Sequence, residues 1–553
     1  MSREASHDPR RWATEVITDF AATTNLLIAG RRFCVEGSDQ RATELRRILT
    51  AIGARETAPG EQPDYLFIAD EDAAPRSPEE VRAADSESSR PLIIVDATVA
   101  GTGAGIAVVG QGHEIRAGIS TTSVPGVFVV RPGILATELG RGTSDSTAGR
   151  IEWARLFMPV TTALAAGLGA SGAVSGVRIG LSMVLEPKTA VLALVLQDAG
   201  AQVSVFAHPD ETDDAVATQL ERAGIPVFAN SAASPAEHLA LAHAFLAERP
   251  QILVDDGSHV IRLAHDDDVL DGIIGAAEET TSGLRPLRAM HERGLLRLPV
   301  VAVNDARSKT LFDNRYGTGQ SCLFAILGLV DLDLAGKTVV VVGYGHVGEG
   351  VAHHARALGA TIVVAETDAT RALQATFDGH RVERLEDAVA GADLVVSATG
   401  EQNTITLAAL RACRPDAMVA VAGGVEQEIA IDAAVAAGAI RETIAPKVER
   451  FTFPGGGSVV ILDDGGCINI TAGEGNPIEI MDLSFGVQVS AIRYLRETAG
   501  TLGAGVHPLP VEADAAVAAA ALHLAAVAID EKPPHAAADD GWRSTRFQGG
   551  ATR

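Results

Sequence analysis

The chain has 553 residues, which is too long for a single hydrophobic core, so we expect two to four domains. Apolar residues make up 47% and charged residues 21%, as in ordinary soluble globular proteins. Asp and Glu number 71 against 45 Lys and Arg, and the net charge of -26 argues against nucleic acid or an anionic membrane surface as a partner.

Cysteine usage and the N-terminus fit a reducing cytoplasm, where we expect the protein to act. The four cysteines lie far apart and form no C-x-x-C pair, so neither a disulfide framework nor a metal site is predicted. The N-terminal segment MSREASHDPRRW is charged and lacks the apolar stretch of a signal peptide. The uncharged run at 156–177 approaches membrane-spanning length, but its Gly, Ser and Thr content and Pro159 predict a buried helix followed by a loop.

Residues 1–148 are predicted to form a separate small α/β domain. The segments RRFCVEG, DYLFIAD and PLIIVDA are typical of short buried strands, and RATELRRILTAIGA is typical of a helix between the first two. The acidic segment at 71–90, rich in Ser and Pro, indicates a surface loop or linker. No motif in this region indicates its role.

From about residue 149 to 300, and again over 337–400, strands alternate with helices, as in a doubly wound α/β fold with parallel sheets. VRIGLSMVL, AQVSVFAHP, IPVFANS and QILVDDGS predict the strands of one sheet. KTVVVVGYG, TIVVAET and DLVVSATG predict strands of another. The Ala-rich segment at 510–530 predicts a late helix, and we expect the chain after Lys532 to be mobile.

The strongest sign of function is a glycine-rich turn that follows a predicted strand. Glycines permit the tight turn and let backbone N–H groups approach a pyrophosphate at a helix N-terminus. An acid at the end of the next strand accepts hydrogen bonds from the adenosine ribose of NAD and disfavours the extra phosphate of NADP. The pattern predicts an NAD site, although a Gly-rich turn without a ligand is the alternative. The predicted residues are Gly343, Gly345, His346, Val347, Gly348 and the acid Glu366.

Several segments resemble the adenosylhomocysteinase family and occur in the family's order. They are VDDGS, AAEETTSG, VNDARSKTLFDNRYGTGQS, GYGHVGEG and GNPIEIMDLSFGVQ, and the resemblance covers roughly residues 150–510. It implies an α/β fold with a Rossmann-type NAD-binding domain, a doubly wound substrate-binding domain and the additional small N-terminal α/β domain. The implied division is 1–148 for the extra domain, 149–318 for the substrate-binding domain, 319–476 for the NAD-binding domain, 477–510 for a return to the substrate domain, and 511–553 for a C-terminal helix and tail.

Enzymes of this family oxidise a ribose 3′-hydroxyl with tightly held NAD, so the resemblance implies the same chemistry here. The ketone acidifies the neighbouring 4′-hydrogen, whose removal expels the 5′-substituent; water then adds and the ketone is reduced again. By resemblance, Lys309 and Asp313 surround the hydroxyl that is oxidised, and their i, i+4 spacing would place them on one helix face. A plain structural ion pair would give the same spacing.

Further site residues follow from the resemblance alone. Asp256 matches the family's acid near the 5′-leaving group, and Glu279 matches its substrate-pocket carboxylate. A helix cap is the alternative interpretation of the EETTSG segment. The residues that match NAD contacts are Thr280, Thr281, Ser282, Asn314 and Asn469.

Three histidines of the family are missing, because Val184, Gly424 and Asn476 occupy their positions. Valine cannot transfer a proton, and asparagine can form hydrogen bonds but cannot titrate. Glu186 and Lys188 are charged where the family holds the purine, and the pair resembles archaeal relatives thought to prefer a 6-oxo purine. We therefore predict that these two residues and Asn476 bind substrate, with a surface ion pair as the alternative for the first two.

The retained and the missing residues leave three hypotheses about function. The first is an NAD-dependent hydrolase or lyase that oxidises the sugar of a nucleoside-type substrate and eliminates a neighbouring leaving group, for instance as a dehydratase in nucleoside natural-product biosynthesis. The second is an ordinary adenosylhomocysteinase, and the third is an inactive NAD-binding regulatory protein. The resemblance implies a homo-oligomer, a tetramer or dimer, although the C-terminal tail lacks the family's common Lys-and-Tyr motif.

Overall fold

The computed structural model describes residues 8–58, 61–69, 91–98, 111–131, 144–423 and 427–530, and their strands form three sheets. The predicted loop at 71–90, the position of Gly424 and the chain after Lys532 lie outside the described residues. None of the helices in the described part of the chain combines the length and the apolar character that a membrane crossing requires.

The first sheet belongs to the N-terminal part of the chain. Its strands are β1 (Arg32–Glu36), β2 (Arg55–Glu56), β3 (Tyr65–Ile68), β4 (Leu92–Asp96), β5 (Gln111–Arg116), β6 (Ile119–Thr122) and β7 (Val127–Val130). Their order is β2-β1-β3-β4-β7-β6-β5, parallel from β2 to β7 and antiparallel from β7 to β5. The three strands predicted from the sequence are β1, β3 and β4, and these predictions are confirmed.

The second sheet is parallel throughout. Its strands are β8 (Arg178–Ser182), β9 (Gln202–Phe206), β10 (Val227–Phe228), β11 (Ile252–Asp255), β12 (Gly275–Glu278), β13 (Pro299–Ala302) and the last strand of the described chain, β22 (Gly505–Pro508). They lie in the order β10-β9-β8-β11-β12-β13-β22. Strands such as β11 and β12 are buried along their whole length because both faces of a parallel sheet are covered.

The third sheet follows directly in the chain. Its strands are β14 (Thr338–Val342), β15 (Thr361–Ala365), β16 (Arg381–Val382), β17 (Leu394–Ser397), β18 (Ala417–Val421), β19 (Ile440–Ala445), β20 (Val448–Thr452) and β21 (Ser458–Leu462). Their order is β16-β15-β14-β17-β18-β21-β20-β19, parallel from β16 to β21 and antiparallel from β21 to β19. The predicted α/β class with a Rossmann-type sheet is confirmed, whereas the domain boundaries stay a prediction.

Helices separate most of the parallel strands. In chain order they are α1 (Pro9–Thr24), α2 (Gln40–Ile52), α3 (Ser144–Leu156), α4 (Pro159–Ala170), α5 (Pro187–Asp198), α6 (Asp214–Arg222), α7 (Pro235–Ala247), α8 (His259–Asp266), α9 (Thr281–Glu292), α10 (Arg307–Thr310), α11 (Gly319–Leu329), α12 (His346–Ala357), α13 (Ala369–Phe377), α14 (Leu385–Ala388), α15 (Leu407–Ala412), α16 (Ile431–Ala436), α17 (Ile468–Thr471), α18 (Ile478–Glu497) and α19 (Val511–Leu524). A π-helix spans Asp313–Thr318, and short 3-10 turns span Pro209–Glu211, Val303–Asp305, Val389–Gly391 and Asp463–Gly465.

Helices α2, α4 and α19 correspond to three helices predicted from the sequence. Helix α2 begins after Asp39, whose carboxylate accepts a hydrogen bond from Ala42 N, and ends at Gly53 in the left-handed region at φ 108°. The late Ala-rich helix is α19. The run at 156–177 contains helix α4, as predicted, but only one side of that helix is buried.

Candidate active site

A cleft of about 370 Å³ is lined by residues that follow strands of the second and third sheets. On the second sheet, Asp256 directly follows β11 and Glu279 directly follows β12. On the third sheet, Gly345 belongs to the turn after β14. Ligands of open α/β sheets bind at the carboxyl ends of the strands, so the cleft lies where this fold places a ligand site. All residues predicted for the site line it except Gly343, Gly348 and Glu366.

Lys309 and Asp313 form a buried pair in the cleft, but the predicted single helix face is wrong. Lys309 belongs to the one-turn helix α10, and Asp313 begins the separate π-helix. Lys309 Nζ lies 3.5 Å from Asp313 Oδ1 and donates a hydrogen bond to Asn304 Oδ1 at 3.2 Å. Asp313 also accepts hydrogen bonds from Asn476 Nδ2 and Ser484 Oγ, both at 3.0 Å. The break in the helix therefore leaves the pair intact.

Two carboxyl groups near Lys309 have raised pKa values. Burial raises the pKa of Glu279 to about 7, although Lys309 opposes the shift. Burial likewise raises the pKa of Asp256 to about 6, again against the effect of Lys309. The pKa of Lys309 itself is lowered by burial, but the surrounding carboxylates, Asp313 foremost, outweigh this and raise it overall. The cleft thus combines a charged ammonium with two carboxyl groups that titrate near neutral pH.

Glu279 has one oxygen engaged and one without a partner. Its Oε2 accepts a hydrogen bond from Gln488 Nε2 at 2.6 Å. Its Oε1 is buried and has no hydrogen-bond partner in the described part of the chain. A buried unsatisfied polar atom in a cleft is a natural contact for a ligand.

The segment after β12 both caps a helix and lines the cleft. Thr280 is the N-cap residue of α9, and its Oγ1 accepts a hydrogen bond from Gly283 N at 3.2 Å. The helix-cap interpretation is therefore confirmed. The cap also places Thr280, Thr281 and Ser282 in the wall of the cleft, so the two interpretations are compatible.

The two charged residues predicted to bind substrate form a buried ion pair. Lys188 Nζ lies 2.9 Å from Glu186 Oε2, and the side chain of Lys188 is only 2% exposed. Glu186 also caps helix α5 by accepting a hydrogen bond from Lys188 N at 2.9 Å. Lys188 Nζ donates a further hydrogen bond to the Glu474 carbonyl oxygen at 2.6 Å. Since both residues line the cleft, the alternative of a surface ion pair is wrong.

Two of the three positions where the family has a histidine, Val184 and Asn476, lie in the described part of the chain. Val184 lines the cleft close to Glu186, where it contributes only apolar surface. Asn476 accepts hydrogen bonds from Asn469 Nδ2 and Ser321 Oγ, both at 3.1 Å. Asn476 also donates to Asp313, so it connects the predicted cofactor residue Asn469 with the lysine–aspartate pair.

The glycine-rich turn has the shape that a dinucleotide site needs. Gly343 has φ +87°, in the region that favours glycine. A Cβ atom at Gly348 would lie 2.0 Å from the Gly343 carbonyl oxygen, so only glycine lets α12 begin this close to the strand. Helix α12 starts at His346 with Gly345 as its N-cap, and no side chain in the described part of the chain caps it, so its first backbone N–H groups can bind a phosphate.

Glu366 is fixed at the end of β15 by the backbone. Its Oε2 accepts a hydrogen bond from Tyr344 N at 2.6 Å, and its Oε1 accepts from Thr367 N at 2.6 Å and Asp368 N at 2.8 Å. Burial alone would raise the pKa of Glu366, but these three N–H groups lower it overall. The ionised carboxylate keeps acceptor capacity for a ribose hydroxyl, so the residues around the turn fit NAD.

A second cavity of about 250 Å³ carries histidines that the sequence analysis missed. It shares Asp256 and Glu211 with the cleft, and its wall includes His208, His238 and His259. The rings of His208 and His238 are 4.5 Å apart. Burial lowers the pKa of His238 and of His259, which favours neutral imidazoles. The three residues lie on separate segments without a common motif, so no local pattern indicated them.

These features define an α/β enzyme with a Rossmann-type NAD site and a substrate cleft at the neighbouring sheet. Residues 142–269 match the family model described as S-adenosyl-L-homocysteine hydrolase. Residues 314–475 match its NAD-binding domain. The chain belongs to the adenosylhomocysteinase family, and NAD is its cofactor.

Individual relatives are similar over most of their length. The chain is 38% identical over 420 residues to S-inosyl-L-homocysteine hydrolase of Methanopyrus kandleri, an alignment that covers 74% of this chain and 97% of that protein. It is 38% identical over 385 residues to adenosylhomocysteinase of Thermotoga maritima, covering 69% and 95%. For adenosylhomocysteinase of Gloeobacter violaceus the identity is 40% over 389 residues, covering 70% and 91%.

Proposed function

We propose that this enzyme uses NAD to oxidise a sugar hydroxyl of a nucleoside-type substrate to a ketone. It then eliminates the leaving group from the carbon β to that ketone. The observation that carries the proposal is the combination of an intact Lys309–Asp313 pair with Val184 in the cleft wall. The Lys309–Asp313 pair can serve the oxidation, whereas Val184 lacks the proton-transfer group that the family uses at this position. Bound NAD would accept the hydride of the sugar carbon and give it back when the ketone is reduced at the end of the cycle.

The side chains of the cleft can supply the proton transfers of oxidation and elimination. Asp313 accepts the proton of the sugar hydroxyl, and the Lys309 ammonium 3.5 Å away stabilises the negative charge on that oxygen. Glu279, with its unpaired Oε1 and a pKa of about 7, takes the proton from the carbon next to the ketone. The electron pair of that C–H bond forms a carbon–carbon double bond as the leaving group departs with its own bonding pair.

Asp256 is the acid for the leaving group in this scheme. Its pKa of about 6 leaves a protonated fraction near neutral pH, so it can donate a proton to the departing atom. The remaining half of the family's reaction adds water to the double bond, and Val184 cannot assist it. Reduction of the ketone without water addition gives an unsaturated sugar. Elimination is therefore the outcome that the side chains of the cleft favour.

Hydrolysis of S-adenosylhomocysteine or S-inosylhomocysteine is the second candidate. The names of the relatives favour it, since they are called adenosylhomocysteinase or S-inosyl-L-homocysteine hydrolase. The cavity beside Asp256 offers the imidazoles of His208 and His259, which could replace the missing proton-transfer group. Lys188 offers a donor and Glu186 an acceptor, the pattern that complements the O6 and N1–H edge of a 6-oxo purine.

Product analysis separates the two candidates. The NAD-loaded protein is incubated with S-adenosylhomocysteine, S-inosylhomocysteine, adenosine and inosine, while the absorbance of reduced nicotinamide and the product masses are followed. We expect transient reduction of NAD and an unsaturated nucleoside product whose mass is one water lower than that of adenosine or inosine. If homocysteine and either adenosine or inosine are the only products, the reaction is hydrolysis instead.

The variant Val184→His tests the physical reason for the proposal. A histidine at this position supplies a titrating group to the attacking water, and such a group contributes about 10²-fold or more to a rate. We expect the hydrated product to rise by about that factor relative to the unsaturated one. Val184→Leu is the matched control, because it changes size without adding a proton donor. An unchanged product ratio in Val184→His would contradict the role assigned to position 184.

A further inference from the structure

The N-terminal part of the chain reaches the substrate end of the cleft. Both family segments begin at or after residue 142, so Arg116 and Asn25 precede the region that the family shares. Arg116 ends strand β5 of the first sheet, and Asn25 directly follows helix α1. Both side chains contact Glu474. Glu474 lies in the loop between α17 and α18, two residues before Asn476.

The carboxylate of Glu474 is held by two arginines. Arg116 Nη2 donates to its Oε2 at 3.0 Å, and Arg150 Nε donates to its Oε1 at 3.1 Å. Arg150 also donates to Asp213 Oδ2 at 2.7 Å, which fixes its position. The side chain of Arg116 is 5% exposed. Burial would raise the pKa of Glu474, but Arg116, Arg150 and Lys188 lower it to about 2, so the carboxylate is charged at all physiological pH values.

The backbone of the same residue connects the N-terminal part to the substrate-binding pair. The carbonyl oxygen of Glu474 accepts one hydrogen bond from Asn25 Nδ2 at 3.0 Å and one from Lys188 Nζ at 2.6 Å. Lys188 Nζ in turn lies 2.9 Å from Glu186 Oε2. A shift of Glu474 therefore moves a hydrogen-bond acceptor of Lys188, which lines the cleft.

We propose that the N-terminal part of the chain determines the nucleobase selectivity of the enzyme, with Arg116 and Asn25 as positioning residues that act through Glu474. They fix the loop that carries Glu474 and so hold the Lys188 donor and the Glu186 acceptor in one arrangement. A nucleobase with an acceptor and an N–H donor on one edge, as in a 6-oxo purine, complements that arrangement; the amino edge of adenine has the reverse order. The inference rests on the proposed nucleoside substrate.

Selectivity distinguishes positioning from a purely structural role. If Arg116 only joins two parts of the chain, its removal lowers stability and affects all nucleosides equally. If it positions the Lys188–Glu186 pair, its removal weakens the preferred base more than the other, because a fixed hydrogen-bonding site rejects the wrong pattern most strongly. The ratio of the two affinities is thus the informative quantity.

The test is calorimetric binding of inosine and of adenosine to full-length NAD-loaded protein, in the wild type and in Arg116→Ala. We expect the Kd for inosine to rise about tenfold, as for loss of a hydrogen bond to a charged group, and the ratio of the two Kd values to fall towards one. Arg116→Lys should restore part of the ratio, because it keeps the charge. Equal changes for both nucleosides, or none, would overturn the inference.

Two further variants keep the result interpretable. Arg55→Ala is the matched control, since Arg55 forms an exposed ion pair with Glu61 in the same N-terminal part, and it should leave both Kd values unchanged. If Arg116→Ala does not fold, Asn25→Gly removes one bond to the Glu474 carbonyl while tolerating the φ of 51° found at Asn25. It should lower the inosine-to-adenosine selectivity too, and an unchanged ratio would overturn the inference. A wild-type protein that binds neither nucleoside would refute the proposed function rather than this inference.

Discussion

At the residue scale, two carboxyl groups of the cleft have pKa values close to neutral. Asp256 and Glu279 are both desolvated, and the ammonium of Lys309 compensates only in part. Their pKa values of about 6 and 7 place each of them where a carboxyl group can exchange protons with a substrate. Sequence similarity indicated these residues, but their protonation follows from burial, which depends on the surrounding fold.

The pH dependence of kcat/KM should report Asp256. If protonated Asp256 donates to the leaving group while ionised Glu279 takes the carbon-bound proton, their pKa values of about 6 and 7 predict a bell-shaped profile. The rate rises through about 6 and falls through about 7, and the falling limb requires Asp256. Asp256→Asn should remove this part of the profile and lower the rate by about 10²-fold or more, since the amide cannot donate as an acid. Glu279→Gln removes the base and should instead abolish the rising limb of the profile. An Asp256→Asn profile that coincides with the wild type would exclude Asp256 as the acid.

At the element scale, the short helix α10 that carries Lys309 depends on a distant anchor. The backbone N–H groups of Arg307 and Ser308 donate to the two carboxylate oxygens of Asp514, at 2.7 and 3.0 Å. Asp514 is buried in helix α19, near the end of the described chain. A four-residue helix has no stability of its own, so this carboxylate holds the turn in place.

Asp514→Asn should therefore impair both stability and catalysis. The amide has one oxygen acceptor, and its NH2 group would face a backbone N–H, so we expect a loss of about 1–3 kcal/mol in the free energy of unfolding. Displacement of Lys309 should lower kcat by at least about tenfold. Urea unfolding and steady-state kinetics measure the two effects. Glu512→Gln, at an exposed position of the same helix, should change neither, and a fully active Asp514→Asn would disprove the anchor.

At the scale of the whole molecule, the N-terminal sheet and the family region share one hydrophobic core. Trp153 of helix α3 is fully buried, and its Nε1 donates to the Thr24 carbonyl oxygen at 2.8 Å. Its ring lies edge-on to Phe128 of strand β7, with centroids 5.2 Å apart. The described parts are therefore expected to unfold in a single transition.

Trp153→Ala tests this continuity. Removing a buried tryptophan should lower the free energy of unfolding by about 3–5 kcal/mol. Circular dichroism in urea should record one transition at a lower midpoint. Leu156→Ala on the same helix is the control, because Leu156 is 40% exposed and should contribute within about 0.5 kcal/mol. A separate early transition of the N-terminal part would contradict the shared core.

The fold class, the cofactor turn and most residues of the cleft could be predicted from the amino-acid sequence. Buried strands, the Gly343–Gly348 turn and the family segments are local patterns, and local patterns can be recognised without knowing what packs against them. The same segments contained Lys309, Asp313 and their neighbours. The N-terminal strands were equally visible, but nothing in them indicated a function.

Contacts between residues far apart in the chain could not be predicted from the sequence. The i, i+4 spacing of Lys309 and Asp313 predicted one helix, yet the folded chain places them in two successive helical segments. The contact of Arg116 with Glu474 joins residues 358 positions apart. Such contacts depend on how the sheets pack together, and no periodicity along the chain records that packing.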